Sequence, residues 1–508
     1  MIALLIGVAS YISAGVLSLL LPDQRSLFGV LGWVGALIGT SLATFSYLDS
    51  GSLVSTLGRW GPLGIELKID QTTILFILLV VILNLFTLWY LRGRKKATFY
   101  CLYNFLFATS FSVGFSNDLF NLYVTIELMS LLSILLIGYE RKAYQIYAGI
   151  KYLLLSSLAM SLYLIGLGII YRSGGYLGIE KLARSLAEDP DFAISLGLGL
   201  MVTGLAVKGG VLLFSMWLPD AYSYSGTVVS VVLSGIATKF GLIGIIRLSA
   251  VGNLNYLLLV LGALTGLGGA VFAIAGKLPK RILAYSTISQ VGYILIGVGT
   301  GTVLGITGAS LHIFFHGLFK SLLFLSVGHA GVGAVSIYGG LKASIPLASK
   351  IGLTIGSLSV MAVPPFSGYF SKNALVNPGV PQWIWYVVLV IGLATVVYLV
   401  KLNWALLVRP TAGGFNSGDL TLVVFGIVVA LSGLVTVAVL GGAEFIKLFN
   451  LINVITAFGL ALGGGSILFG LGSRVEVLEV PGFPFNLENS LISLFTGFIV
   501  IAAVLLIV

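Results

Sequence analysis

Charge is what this sequence has least of. Of its 508 residues, 27 are Lys or Arg and 17 are Asp or Glu, which makes 9% charged against 58% hydrophobic. Soluble domains carry roughly 25% charged residues and about half apolar ones. Length alone would allow three or four soluble domains, but so few charges cannot cover their surfaces. Cysteine is nearly absent too: Cys101 is the single one. That excludes a disulfide, a Cys-ligated iron–sulfur cluster and a multi-cysteine zinc site. Histidine is limited to His312, His316 and His329, all in one stretch.

What the chain has instead is long apolar runs without strand-like alternation, which fit an all-α polytopic membrane protein and not an outer-membrane barrel. The runs predict spans near 2–21, 27–48, 72–91, 97–114, 118–138, 146–171, 192–216, 225–248, 256–276, 281–300, 303–327, 348–370, 383–407 and 419–440. Two further apolar stretches lie near 450–471 and 490–508. Fourteen spans are therefore expected, and up to sixteen. The first run lacks a basic leader and a small-residue cleavage site, so it reads as a span and not as a signal peptide. Linkers near 49–71, 172–191 and 472–489 are the longest, too short for a soluble domain, and the last reads as a surface loop.

The net charge of +10 does not point to nucleic acid, because the basic residues sit in short loops and form no patch on a soluble domain. Counted over alternating loops, thirteen Lys or Arg fall on one side, including Arg92, Arg94, Lys95 and Lys96, and six on the other, including Lys68 and Arg247. The positive-inside rule makes the first side cytoplasmic and places the N-terminus outside.

Inside the spans a few ionisable residues remain: Glu127, Lys151, Lys208, Lys239, His312, His316, Lys320 and Lys372. An ionised group at membrane depth costs at least about 2.5–3.5 kcal/mol. Such groups face the bundle interior or water, and their usual work is ion or proton relay. Lys151 and Lys372 stand close enough to span ends for snorkelling to account for them. For Glu127, Lys208 and Lys239 the plain alternative is an ion pair that only holds helices together. Proton handling suits the residue types. Low dielectric disfavours an ammonium and a nearby carboxylate favours it, so moving either partner changes the other's proton affinity. Arginine cannot do this, since it does not deprotonate in proteins.

His312, His316 and Lys320 recur every four residues and fall on one helix face, covering about 12 Å. A His pair at this spacing also grips metals, but the intervening glutamate of that motif is absent, so no metal is assigned. Proton relay is the better reading. Pro364 and Pro365 must break the helix around them. The run Trp217–Ala221, with Pro219 and Asp220, then Ser225–Thr227, marks a second tight turn after Lys208. Non-helical backbone at membrane depth survives only where protein or a water-filled cavity satisfies it, and paired breaks point to an ion site built from repeats. Ordinary kink tolerance is the plain alternative.

In this order, the Ile126–Ser130 segment with Glu127, the Lys151–Tyr152 pair, Lys208 nine residues before Trp217–Ala221, Lys239 after Leu233–Gly235, Lys280–Gln290, the His312–His316–Lys320 stripe and Pro364–Lys372 resemble one family. It is the antiporter-like subunits shared by respiratory complex I, Mrp-type sodium/proton antiporters and archaeal membrane-bound hydrogenases or sulfur-reducing complexes. The resemblance covers about 100–400. It implies a fourteen-helix core with two inverted five-helix repeats: N-terminal helices over 1–96, repeats over 97–248 and 249–410, and C-terminal helices over 411–508. It also implies roles. Glu127 and Lys208 would be a coupling pair. Lys239 would be a central relay reached through a broken eighth helix. His312, His316 and Lys320 would continue the path, and Lys372 would stand at its exit. Lys151, Asp220, Pro364 and Pro365 would support them. The sequence departs from many relatives at Leu213–Met216, which lacks their Pro-Phe-His, and at Tyr222–Gly226, which lacks their prolines.

The expected function is proton translocation, or Na+/H+ antiport, by a cell-membrane subunit of a multi-subunit redox complex. Other antiporter-like and small membrane subunits would be its partners, beside a separate iron–sulfur module. No cofactor is expected in this chain. Alternatives are an Mrp-type antiporter subunit without a redox module, a haem- or quinone-binding redox subunit and a structural scaffold. Sodium prefers hard oxygen ligands, and Glu127 is the only deep acid.

Overall fold

The computed structural model describes residues 2–58, 64–186, 192–337, 344–375, 380–436, 439 and 487–507. Helices stand at all fourteen expected spans. Chain order begins with α1 (Ile2–Leu20), α2 (Arg25–Ser50), α3 (Gln71–Leu91), α4 (Ala97–Phe115), α5 (Leu119–Ile137) and α6 (Ala143–Gly174). After a short α7 (Ile179–Ser185) come α8 (Phe192–Gly209), α9 (Leu218–Tyr224), α10 (Thr227–Val232) and α11 (Thr238–Leu248). Then follow α12 (Asn255–Ala275), α13 (Pro279–Gly299), α14 (Val303–His329), α15 (Leu347–Val360), α16 (Ser367–Leu375), α17 (Gln382–Leu407), α18 (Ser417–Leu431) and α19 (Leu487–Ile507). Among the described residues, twelve helical segments are long and apolar enough to cross a membrane. Of the other two expected spans, α4 is rich in Tyr, Thr, Ser and Asn, and 348–370 is split into α15 and α16. The stretch 450–471 lies outside the described residues, as does most of 472–489.

The chain divides into two units. The first comprises Met1–Trp217, Ile236–Leu257 and Leu487–Val508. Here α1 packs on α2 and α4, α6 on α8, and α8 on α11 and α19. Without a hydrophobic drive between helices in lipid, small residues that let backbones touch decide such packing. Gly241 shows it: a Cβ there would strike the Gly209 backbone and the Leu205 carbonyl. Two linkers carry structure that apolar patterning did not predict. Strands β1 (Leu53–Leu57) and β2 (Ile65–Ile69) pair antiparallel with Leu53 opposite Ile69, and α7 follows Gly178, which bridges to Asp118.

Asp70 ends that hairpin and caps α3 by accepting from Thr73 N at 2.9 Å. Arg247, a loop cation by the count of basic residues, lies instead in the last turn of α11, 5% exposed. It grips Asp70 with both guanidinium nitrogens while also donating to Thr73 Oγ1 at 2.9 Å. Lys68 stands 4.0 Å from the same carboxylate and 2.8 Å from Glu180. This network ties the ends of α3 and α11 to the hairpin and to α7.

The second unit comprises Leu218–Gly235 and Leu258–Asn486. Its centre is α13 and α14, buried on nearly every face. Helices α15, α16 and α18 pack on α14, and α17 packs on α13 and α15. Gly292 on α13 meets Gly266 on α12 backbone to backbone. Helix α17 exposes Trp383, Trp385 and Tyr386 at its start and Trp404 toward its end. At 1.5 Å per residue these aromatics stand about 30 Å apart, the thickness of a bilayer core, where aromatic belts belong.

Burial alone would raise the Asp70 pKa, but the Arg247 guanidinium, the Thr73 amide and Lys68 together hold this carboxyl well below the usual range. A carboxyl depressed in the folded state adds stability that is present above its unfolded pKa, about 3.9, and is lost as pH falls below it. Thermal unfolding in detergent between pH 6 and 3 checks this: the acid-induced drop in melting temperature should shrink in Asp70→Asn. Arg247→Ala, which strands a buried carboxylate, should cost about 3–5 kcal/mol at neutral pH.

Candidate functional site

In the first unit the site is built on α5, α6, α8 and α11. Helix α8 stops at Gly209, immediately after Lys208, and Gly210 follows with φ +75°. That left-handed conformation costs glycine nothing. Beyond it the chain makes a 3-10 turn over Leu212–Phe214 and reaches Trp217, whose Nε1 donates to Val207 O at 2.8 Å. The Trp217 ring stacks on Tyr152 of α6 with centroids 3.9 Å apart and planes at 12°. The departure at Leu213–Met216 therefore leaves the interruption in place, between α8 and α9. The expected eighth span is not fully broken. It is loosened by a single π turn at Leu233–Ala237, directly before α11. Such turns shift the register of the residues that follow and recur at functional positions.

The Lys208 side chain is 2% exposed. Its Nζ donates to Ser130 Oγ at 2.6 Å, to Glu127 Oε2 at 3.2 Å and to Ser156 Oγ. Three oxygens match the three hydrogens of an ammonium. The Tyr152 ring adds a fourth contact, 5.8 Å from Nζ. Glu127 and Ser130 are three residues apart on α5, hence on one face. Glu127 itself is 23% exposed, so it is less deep than its place in the span suggested. Lys151 lies on the buried face of α6 and is 1% exposed; that leaves snorkelling no role. Lys239, fully buried, donates to Thr238 Oγ1 at 3.3 Å. The Gly209–Gly241 contact brings the backbones of α8 and α11 together one residue after Lys208 and two after Lys239.

In the second unit His312, His316 and Lys320 are all fully buried on one face of α14. The two imidazoles lie 5.9 Å apart and nearly parallel, at 8°. His312 Nδ1 is 2.9 Å from Ser371 Oγ on α16. Lys320 Nζ donates to Leu283 O at 3.2 Å and to Ser286 Oγ on α13. Pro364 and Pro365 lie in the turn between α15 and α16, as proline's missing donor requires. The end of α15 leaves carbonyls without helical partners, and Lys372 Nζ donates to one of them, Val360 O, at 2.8 Å. It also sits 4.4 Å above the Tyr293 ring, whose centroid is 6.0 Å from that of His312. Lys372, Tyr293, His312 and Ser371 thus form one cluster. Asp220 joins neither string of groups. It pairs with Arg281 at 2.7 Å, and Lys280 beside it donates to Ser225 O and Ser230 Oγ at 2.8 and 2.9 Å. The start of α13 thereby clamps α9 and the turn into α10.

Hydroxyl partners are what sequence reasoning missed: Ser130, Ser156, Ser286 and Ser371. Ser130 had a usable signal, its three-residue offset from Glu127. The others meet their partners only through tertiary contact. Among the described residues no third His, Cys, Asp or Glu joins His312 and His316 in a metal-binding group.

A polytopic helical bundle that keeps lysines and histidines out of water, with Lys208, His312, Lys320 and Lys372 hydrogen-bonded at helix faces or breaks, is an ion-translocating membrane protein. The chain belongs to the NADH:quinone oxidoreductase/Mrp antiporter transmembrane family, whose profile matches residues 116–398. It is similar to NADH-quinone oxidoreductase subunit N of Desulforudis audaxviator, 35% identical over 363 residues, which span 67% of this chain and 72% of that one. It is also similar to a Na(+)/H(+) antiporter subunit of Alkalihalophilus pseudofirmus, 31% identical over 370 residues, 70% of this chain and 75% of that one. Its fold matches a chain in the solved structure of the membrane-bound sulfane sulfur reductase, an archaeal respiratory membrane complex. The TM-score is 0.78 at 24% identity, covering 90% of this chain and 97% of that one.

The Tyr152 ring supports both Trp217 and the Lys208 ammonium, while its hydroxyl has only a 3.5 Å contact to Ser130 Oγ. Tyr152→Phe should leave thermal stability in detergent within about 0.5 kcal/mol of the parent, since a bond that long is weak. Tyr152→Leu should lose about 1–3 kcal/mol, the sum expected for an aromatic pair and a cation–π contact. Equal losses in the two variants would contradict this division.

Proposed function

We propose that the chain moves protons, or exchanges sodium for protons, as a membrane subunit of a multi-subunit redox complex, and that Glu127, Lys208, Lys239, His312, His316, Lys320 and Lys372 carry the ions. One observation supports this above the others. The Lys208 ammonium is held out of water at a helix end, coordinated by one carboxylate and two hydroxyls. Such a group exchanges its proton whenever Glu127 or the interrupted segment moves, because each partner sets the other's affinity. A scaffold needs no charge there, since apolar residues of the same volume hold helices together as well or better. The hydroxyls beside Lys208, Lys320 and His312 both donate and accept, as a relay requires.

In this reading 97–248 and 249–410 act as two inverted repeats, each with its own interrupted helix beside a lysine. The protein lies in the cell membrane with its N-terminus outside, as thirteen basic residues toward one side against six toward the other, Arg247 at a helix end among them, favour. Its partners are other antiporter-like and small membrane subunits and a separate iron–sulfur module. The outward side of α5 supports membrane partners: Glu127 is partly exposed beside Val124, Leu128 and Leu131. A carboxylate facing acyl chains is costly, so a neighbouring subunit covers it. The similarity to the Alkalihalophilus antiporter protein favours a second reading, an Mrp-type subunit with no redox module. Subunits that copurify in mild detergent separate the two, iron–sulfur proteins marking the first.

The test is ion movement by the intact complex in liposomes. Glu127→Gln removes a charge-assisted bond of about 1.5–3 kcal/mol, which corresponds to a fall of roughly tenfold to a hundredfold in rate. Lys208→Ala should fall at least as far. Unchanged pumping by assembled complexes carrying Lys208→Ala would defeat this function.

A further inference from the structure

Helix α17 supplies no ionisable group to the site described above, yet its largely apolar buried face carries Thr395 and Tyr398. Thr395, Tyr398 and Lys401 recur every three residues along it, the first two fully buried. Opposite them α13 presents Ser286 and Gln290, also fully buried. Tyr398 Oη donates to Thr395 Oγ1 at 3.3 Å, and Gln290 Nε2 approaches the same oxygen at 3.5 Å. Ser286, whose hydroxyl accepts from Lys320, stands one turn before Gln290 on the same face of α13. Gln290 Oε1 is buried with no protein partner among the described residues. At the far end Lys401 Nζ donates to Ile274 O in the last turn of α12 and to Gly276 O just beyond it, at 2.5 and 2.7 Å. The end of α12, the start of α13 and the end of α17 therefore meet at one face of the second unit, the one bearing Lys277, Lys280 and Arg409.

Depths along the two helices agree. Measured at 1.5 Å per residue from that face, Lys401 is about 9 Å in, Ser286 about 10 Å, Tyr398 about 13 Å, Gln290 about 16 Å and Thr395 about 18 Å. The groups form a seam from the rim to the level of Lys320. Packing helices in lipid does not call for such a seam, since apolar residues pack as well at less cost. A buried amide oxygen without a protein partner, among hydroxyls with spare lone pairs, is where ordered water resides.

We propose that the seam between α13 and α17 is a hydrated proton access route leading from the Lys277–Lys280–Arg409 face to Lys320, with Lys401 at its mouth. A hydronium at the face gives up one proton. Each water or hydroxyl along the seam accepts a proton on oxygen and releases its own. The last becomes the third N–H of a neutral Lys320 amine, and no other bond changes. This route adds to the proposed function a branch that reaches the stripe on α14 without passing Lys208. It rests on the reading of Lys320 as a relay group.

The lone cysteine makes the test direct. In a Cys101→Ser background, Thr395→Cys and Gln290→Cys in the assembled complex are exposed to a charged, membrane-impermeant methanethiosulfonate, in vesicles of either orientation. Ile288→Cys and Val396→Cys, nearly as buried but on other faces of the same two helices, are the dry controls. The route requires labelling of the seam cysteines from the Lys277–Lys280–Arg409 face at least about tenfold faster than from the other face, with the controls unlabelled. Labelling no faster than the controls, or faster from the other face, overturns it. Tyr398→Phe keeps the ring and removes one relay oxygen, and should slow pumping several-fold. Unchanged pumping with that variant overturns the route as a proton path even if water is present. Labelling reports water and not transport, so a dry seam leaves the function proposed above standing. Conversely, Lys208→Ala without effect would defeat that function and leave the labelling result intact.

Discussion

Everything in this structure answers to the cost of an ammonium away from water. At Lys208 three oxygens replace the hydration shell, and they come from two helices, α5 and α6, while the lysine comes from a third. That coordination dictates much around it. Helix α8 must end beside the lysine, glycine must follow, and Trp217 must fold back to hold the freed segment against Tyr152. The close approach of α8 and α11 through Gly209 and Gly241 follows from the same need, because a wider gap would leave polar backbone facing lipid.

The second unit solves the same problem with different means. Lys372 uses a carbonyl released by the interruption between α15 and α16, together with an aromatic face. Lys320 uses a carbonyl of α13 and one serine. In both units a helix interruption and a buried lysine occur together, since an interruption supplies unpaired carbonyls and room, and a lysine supplies the donor those carbonyls lack. The clamps at Asp220–Arg281 and Asp70–Arg247 are of another kind. They hold segment ends in place at the rims, where arginine's fixed charge and forked geometry are useful and proton exchange is not.

Hydroxyls are the recurring partner. They cost little to bury when hydrogen-bonded, carry no charge, and serve as donor or acceptor by rotating one bond. Buried lysines surrounded by serines are therefore stabilised without being locked in one protonation state, whereas a full ring of carboxylates would lock them. The partial exposure of Glu127 fits the same logic. The one carboxylate that touches Lys208 stands at the edge of the chain, where a neighbouring subunit in the proposed assembly would act on it.

Much of this could be read from residues alone. Apolar runs located all fourteen described spans, because membrane insertion acts on local composition. Most ionisable residues that stand out against those runs were found for the same reason, although Lys401, inside the run 383–407, was passed over. Pro364–Pro365 marked one interruption by removing backbone donors. Tertiary structure decided the rest. Whether Arg247 was a loop cation or half of a buried clamp, and whether Lys151 snorkelled or pointed inward, depended on which helices lay alongside. Ser156 and Ser371 look like any other serine in sequence, and Tyr398 like any aromatic in an apolar helix. Local composition determines that a segment enters the bilayer and what it carries with it; rotation and packing against helices far away in sequence determine which atoms meet, since hydrogen bonds form over about 3 Å and no pattern along a single helix encodes that distance.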